Sequence, residues 1–447
     1  MSMLLSSLLL APAPIALAPE ILQQQDVRAL PGELDSFPVF NSNSPELVLS
    51  EGILLSTFPG KGKQSPEAHL NYPLDGRFDL FSHHVTRINS RNGKLPLYLG
   101  VLVHNPGDKP VKVLVLQANS YLSSSEAPFI DLPDQIENRG GRVYSGPGSR
   151  TASDVLRRKS QAGWSTSIEV PPGQSKMLMN LKMPISNSRT TWMRLYSSDK
   201  LYVASMAKFA TSRDYKPTLE EWRYLLSTGD LATPRDKAPT PPKQKKADPF
   251  LYGRVAGISQ GAEWKTKVTD SQSETLAIPE PGKAFSYVLN SLDRGTLGTG
   301  QIQSAPMLAR YPDTAYRAHG NYGVKYKLDI PLHNNTETPQ RVTLAIQTPI
   351  KEDRLSQEGL RFFNKPTGQP FFRGTVKVTY TSDRGQPKKR YLHLVQKRGQ
   401  RGKPLVNLTL PPGSSRPVSL ELLYPPDSTP PQVITVQTLS DSKASAR

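Results

Sequence analysis

The chain has 447 residues, of which 36% are hydrophobic and 21% charged, with 42 Pro, 31 Gly and no Cys. Proline at almost twice the usual ~5% fixes φ and removes backbone donors too often for a helical bundle, a TIM barrel or a Rossmann enzyme, and the missing Cys excludes disulfides, thiolate metal sites and Cys nucleophiles. The net charge of +18, 56 Lys+Arg against 38 Asp+Glu, attracts polyanions without choosing among nucleic acid, anionic lipid head groups and acidic polysaccharide.

In chain order, residues 1–18 come first, uncharged and rich in Leu and Ala, ending on Ala16-Leu17-Ala18. This is the pattern of a secretory signal peptide, although the first basic residue is Arg28 and Pro19 follows the cleavage site directly. Pro12, Pro14 and Pro19 interrupt the ~20 apolar residues that a membrane-spanning helix needs, and no later segment is long enough. Export to the periplasm, outer envelope or extracellular space is the expectation.

Residues 19–229 read as a first β-rich domain. Strands at 97–103 and 111–116 flank the turn His104-Asn105-Pro106-Gly107-Asp108, and a short helix is expected at 153–159. Its last element is a helix over 218–228. There Thr218 and Glu221 form a capping box, and Leu219, Trp222, Leu225 and Leu226 share one face. Residues 230–249, with five Pro, five basic residues and no aromatic, read as a semi-rigid, solvated linker. A second β-rich domain, 250–440, and a disordered tail, 441–447, complete the chain.

The second domain repeats the wording of the first. A turn at His333-Asn334 lies between strands 324–332 and 341–347, as the one at His104-Asn105 does. Pro411-Pro412-Gly413 matches Pro171-Pro172-Gly173, and Leu423-Tyr424-Pro425-Pro426-Asp427 matches Leu195-Tyr196-Ser197-Ser198-Asp199. Three turns recurring in one order indicate a divergent internal duplication of units near 95–210 and 324–440. The expected fold is mainly β: two related antiparallel β-sandwich halves, immunoglobulin-like or jelly-roll, with a few short helices. Prolines at strand edges would keep those edges from pairing with other chains.

Several strings are distinctive as wording: NSNSPEL at 41–47 with GILLSTF at 52–58, YLGVLVHNP at 98–106, and GTGQIQSAPM at 298–307 running on to AHGNYG at 318–323. Together they resemble a cyanobacterial family of uncharacterised proteins known only as a domain of unknown function, over about residues 25–439. The resemblance implies a cyanobacterial source and an exported protein. It carries no activity, cofactor or catalytic residue.

Candidate chemistry is sparse. Gly257-Ile258-Ser259-Gln260-Gly261 matches G-x-S-x-G, but 262–268 alternates like a strand where a hydrolase needs a helix. His83 and His84 are neighbours on a strand at 78–88 and so face opposite sides, unsuited to one metal. Gly146-Pro147-Gly148 and the run at 295–300 read as turns. Asp131, Asp134 and Glu137 form a small acidic cluster. The strongest feature is electrostatic: no acid occurs between Asp383 and Glu421, while Lys388, Lys389, Arg390, Lys397, Arg398, Arg401 and Lys403 are interleaved with Tyr391 and His393. These seven cations form the candidate anion-binding patch. The chain thus reads as a non-catalytic envelope or extracellular component that needs no cofactor or metal. Its partners would be anionic envelope polysaccharide or lipid head groups, nucleic acid being excluded by export. A hydrolase of envelope glycans or esters, with Ser259 as its nucleophile, is the alternative.

Overall fold

Alternation of apolar and polar residues decides most of the architecture. In the strand Lys325–His333, Tyr326, Leu328, Ile330 and Leu332 are buried while the residues between them are half-exposed, the period of two that places one face on a core. Pro331 sits in that strand opposite Pro417 of Ser415–Leu423. Each proline falls where its outer ladder is empty. Glu263–Lys267 ends opposite Asp329, Leu276–Ala277 begins opposite Leu332, and Pro370–Thr381 reaches only Val418. The missing N–H groups therefore break no ladder bond.

The computed structural model describes residues 19–87, 95–212, 214–244, 248–355 and 357–440. The segment 1–18 expected to be a signal peptide, the tail at 441–447 and positions 245–247 of the expected linker lie outside the described residues. The protein is mainly β, with α1 (Pro147–Leu156) and α2 (Leu219–Thr228) as its α-helices among the described residues.

Two layers organise the first half. One contains Ser167–Val170, Val111–Leu122, Leu74–Thr86, Pro38–Ser42 and the start of Ser188–Phe209; the other contains Ser175–Met183, Leu97–His104, Gly52–Ser56 and the end of Ser188–Phe209. Leu99, Val101, Val103, Met193, Leu195 and Val203 from both layers form one apolar cluster. In the second half, a sheet built on Lys325–His333, Ser415–Leu423, Pro370–Thr381 and Pro387–Lys397 faces one built on Ala284–Leu289, Gln432–Thr438, Gln340–Gln347 and Val406–Leu410. Leu328, Val376 and Leu420 of the former cluster with Phe285, Leu344 and Val436 of the latter.

The two halves share a corner, bond for bond. Asn105 and Asn334 are both fully buried. The Asn105 amide donates to Lys109 O (2.6 Å) and Val170 O (2.9 Å), and its Oδ1 accepts the Gly107 N–H at 2.9 Å. The Asn334 amide donates to Thr338 O and Leu410 O, both at 2.8 Å, and its Oδ1 accepts the Thr336 N–H at 3.0 Å. His104 Nδ1 meets Ser175 Oγ at 3.0 Å, as His333 Nδ1 meets Ser415 Oγ at 2.9 Å. A buried amide must be satisfied, and here each one ties its own turn to the strand that precedes the Pro-Pro-Gly turn.

The third recurring turn differs between the halves. Ser188–Phe209 runs straight through Tyr196–Asp199, with only a register shift between Ser197 and Leu201 where it leaves one layer for the other. Its counterpart is a loop between Ser415–Leu423 and Gln432–Thr438, because Pro425, Pro426, Pro430 and Pro431 cannot continue a ladder. The helix expected at 153–159 lies earlier, as α1. Gly146 (φ 87°) turns the chain and Pro147 presets the first helical φ. Packing of Ala152 and Val155 with Phe81, Trp192 and Leu423 outweighs the low helix propensity of its Gly, Ser and Thr residues.

α2 has the capping box at atomic level. Thr218 Oγ1 accepts the Glu221 N–H at 3.3 Å, and Glu221 Oε2 accepts the Thr218 N–H at 2.8 Å. Its Trp222 and Leu226 are buried against Tyr98, Leu102 and Met206. A Cβ on Gly100 would come within 2.8 Å of the Trp222 indole. Gly100→Ala is expected to cost roughly 1–3 kcal/mol through over-packing, read as a lower urea midpoint at unchanged slope.

Strands cross between the halves. Asp26–Arg28 pairs with Ala284–Leu289, Glu20–Gln23 with Leu360–Phe363, and Gln135–Glu137 with Pro387–Lys397. In the other direction, Ala256–Gln260 pairs with Pro38–Ser42 and brings Ala305–Arg310 with it. The described part of 230–249 is held on both sides. Thr233 O accepts from Leu49 N (2.9 Å), Asp236 accepts from Ser44 Oγ (2.6 Å) and Arg254 (2.8 Å), and Arg235 forks onto Asp313.

Candidate functional site

The predicted basic patch is placed by the strand Pro387–Lys397 and the turn after it, and the geometry divides it. Lys388 and Lys397 stand nine positions apart, about 30 Å at ~3.3 Å per residue. Lys388 and Arg390 share one face of the strand and Lys389 points to the other. Lys388 and Lys389 are exposed, and Lys388 donates to Gln386 at 3.1 Å. Arg390 is committed: its guanidinium reaches Glu137 (2.7 Å) and Leu405 O (2.9 Å). Lys397 is half-buried, and the Arg398 guanidinium lies 5.7 Å from the Phe363 ring centroid.

The interleaved Tyr391 and His393 are half-buried and buried respectively. His393 is fully buried beside Thr375, and burial pulls its pKa down to about 4, which leaves it neutral. Tyr391 is covered by the Arg157 guanidinium at 3.9 Å. The acidic cluster has a partner role: Glu137 pairs Arg390, and Asp134 Oδ2 lies 3.9 Å from Lys403 Nζ.

Arg401 and Lys403 come together at a groove that the charge pattern alone did not locate. It holds about 590 Å³ on the outward face of the five-stranded sheet. Thr343 and Gln347 from Gln340–Gln347, Thr435 from Gln432–Thr438 and Asn407 from Val406–Leu410 line it, with Arg401 and Lys403 also in its wall. Strand alternation puts these polar residues on one face, since Val342, Leu344, Ile346, Ile434 and Val436 occupy the core side. Hydrogen bonds fix the floor: Gln347 Nε2 donates to Thr435 Oγ1 (2.7 Å), which meets Ser286 Oγ (2.7 Å), which donates to Gln25 Oε1 (2.9 Å). Among the described residues the lining includes no acid, and Arg401 has no carboxylate within ion-pair distance. Lys403 and Asp134 are both more than half exposed, so their pair at 3.9 Å is weak. A rigid hydroxyl and amide floor beside two cations can hydrogen-bond sugar hydroxyls while neutralising carboxylate or sulfate groups. The signal for the floor was present in the sequence as polar residues alternating with Val, Leu and Ile at 342–347 and 433–437.

Other candidates are placed differently. Ser259 lies inside the strand Ala256–Gln260, 2% exposed and flanked by Pro38–Ser42 and Ala305–Arg310, and the chain continues into a strand at Glu263–Lys267. No strand-to-helix elbow lifts its hydroxyl toward a substrate. His84 is buried between Ser42 Oγ (3.0 Å) and Pro45 O (2.8 Å), while His83 Nδ1 meets Thr190 Oγ1 at 2.8 Å. Among the described residues no three His, Asp or Glu side chains are grouped as metal ligands. A cleft of about 320 Å³ is lined by residues of both halves, including Glu46, His83, Tyr252, Arg254, His319 and Lys351. Its charges are largely matched: Arg254 reaches Glu46 and Asp236, both at 2.8 Å, and Lys351 Nζ donates to Tyr252 Oη at 2.9 Å. Burial pulls the Lys351 pKa down to about 8 and that of His319 to about 3.

Among solved structures, the chain is similar to Fet3p, a multicopper oxidase that functions in iron import, with 9% identity, 88% of this chain and 61% of that chain covered, and a TM-score of 0.13. It is also similar to the 11S allergen from Cocos nucifera L., with 11% identity, 77% of each chain covered and a TM-score of 0.11. Superpositions this loose carry no argument about fold or function. The chain spans less than two thirds of the oxidase's length. No curated protein matches it. The sequence pattern of DUF3370, a protein family of unknown function, matches residues 25–438, and the chain belongs to that family.

Proposed function

We propose that this protein is an exported, non-catalytic binding component of the cell envelope or extracellular space that holds an anionic polysaccharide in the groove beside Arg401 and Lys403. Its source is cyanobacterial on this reading, and its halves descend from one duplicated unit. The matching Asn105 and Asn334 corners support the duplication. The uncharged 1–18 segment ending in Ala16-Leu17-Ala18 supports export. One observation carries the binding reading: a hydrogen-bonded hydroxyl and amide floor, free of acids, with two cations in its wall.

Calorimetric titration with an oligogalacturonate tests it. Binding is expected at low ionic strength and is expected to weaken as salt screens the rim. Arg401→Glu with Lys403→Glu should weaken it at least tenfold, whereas Lys388→Glu with Lys389→Glu, at the far end of the strand, should leave it unchanged. Equal affinity for a neutral oligosaccharide, or an unaffected Arg401/Lys403 variant, would overturn the reading.

A further inference from the structure

Arg189 is an unusual arginine. It is 5% exposed, between the two layers of the first half, and no carboxylate lies within 4 Å of it among the described residues. One terminal nitrogen donates to Ser120 Oγ at 2.9 Å, the other to Lys182 O at 2.9 Å, and Nε has no hydrogen-bond partner. Glu126 is the nearest charge of opposite sign, but its Oε2 accepts the Leu122 N–H at 2.6 Å. Burial lowers the Arg189 pKa only to about 10, so the group stays cationic at neutral pH. A buried charge without a counter-ion is costly, and a donor left unpaired adds to the cost.

This guanidinium lines a cavity of about 380 Å³. The remaining wall is mixed: Trp164, Ile168, Met177, Met179 and Leu181 supply its apolar part, and Ser120, Gln161, Asn180 and Glu126 its polar part. The cavity lies between Ser167–Val170, the edge of one layer, and Ser175–Met183, the edge of the other. In the second half the strand corresponding to Ser175–Met183, Ser415–Leu423, pairs on its other side with Pro370–Thr381. The first half has no such strand at that place, and the slot stays open. Trp164 stands over it from the 157–166 loop, its Nε1 donating to Gln161 Oε1 at 3.4 Å.

We infer that this slot binds an amphipathic monoanion, an aliphatic carboxylate whose head pairs with Arg189 and whose tail lies between Trp164, Ile168 and the methionines. A doubly charged head is disfavoured, because Glu126 lines the same cavity and a single guanidinium neutralises one charge. The site is separate from the groove on the second half and stands independently of it.

Decanoate, decanol and inorganic phosphate, titrated separately against the full-length protein and followed by tryptophan fluorescence and calorimetry, test the inference. Decanoate is expected to bind at least tenfold more tightly than decanol, and phosphate is expected neither to bind nor to displace it. Arg189→Met should fold, because an apolar replacement of a buried unpaired charge is often neutral or stabilising. It should lose the preference for decanoate over decanol. Ile168→Trp keeps the charge and fills the slot, and should abolish binding of both. Equal affinity for decanoate and decanol, displacement by phosphate, or undiminished decanoate binding by either variant would overturn the proposal.

Discussion

Acidification from pH 7 to pH 4 is expected to unfold the protein, through histidines that the fold holds neutral. His84 and His393 are fully buried, and burial pulls both down to about 4. His319, buried beside Arg317 and Lys351, falls to about 3. In the unfolded chain each titrates near 6.5. Between pH 6.5 and 4 the unfolded state therefore binds more protons than the folded state, and stability falls as pH falls across that window. Above 6.5 both states are neutral at these sites and the effect vanishes. At about 1.4 kcal/mol per pKa unit, each histidine contributes on the order of 3 kcal/mol of acid destabilisation. Three together approach the ~5–15 kcal/mol that holds a typical domain folded. Asp79 and Asp427, both raised by burial, act in the opposite sense and offset part of the loss. Urea midpoints taken every half pH unit by circular dichroism measure the slope. His393→Leu, which removes one buried titrating ring from beside Thr375, should shift the acid midpoint downward. A stability that stays flat between pH 6.5 and 4 would contradict this account.

What could be read from the sequence was local. The Thr218/Glu221 capping box and the apolar face behind it need only four to eight consecutive residues, and α2 forms there. The Asn105 and Asn334 corners were visible as turns because the Asx geometry needs nothing distant, although their buried bonds to Val170 O and Leu410 O are long-range. Pairing across the chain was not legible. Nothing in Gln135-Ile136-Glu137 indicates that it will edge a sheet more than 250 residues away, so the basic run was read without Glu137 beside Arg390. Tyr196–Asp199 and Leu423–Asp427 look alike in wording, but the prolines in the second end a ladder that the first carries through. The groove floor was missed for a related reason. Thr343, Gln347 and Thr435 become a surface only when two strands nearly ninety residues apart lie side by side.

Severing the chain within 238–246 is expected to leave one folded particle when both fragments are made together, and no cooperatively folding unit when either is made alone. The reason is how the strands and Tyr311 are distributed. The C-terminal fragment would lack Asp26–Arg28 and Gln135–Glu137, exposing the edges of both of its sheets. The N-terminal fragment would lose Ala256–Gln260 from beside Pro38–Ser42 and an aromatic side chain from its core. That side chain is Tyr311, fully buried in the first half's apolar cluster although it comes from the second half. Its hydroxyl donates to Ala68 O at 2.8 Å and accepts the Ser56 N–H at 2.9 Å. Tyr311→Phe keeps the ring and strands both partners in a dry site, at a cost of roughly 2–6 kcal/mol if each unsatisfied group costs ~1–3. Tyr311→Ala adds a cavity and should cost at least as much, since Phe or Trp to Ala in cores typically costs about 3–5 kcal/mol. Because the tyrosine ties one half to the other, the loss should appear as a lower midpoint of a single transition reported alike by tryptophan fluorescence and circular dichroism. Two separated transitions in the Tyr311→Phe variant, or a C-terminal fragment that unfolds cooperatively at the intact protein's midpoint, would show that the crossing strands contribute little.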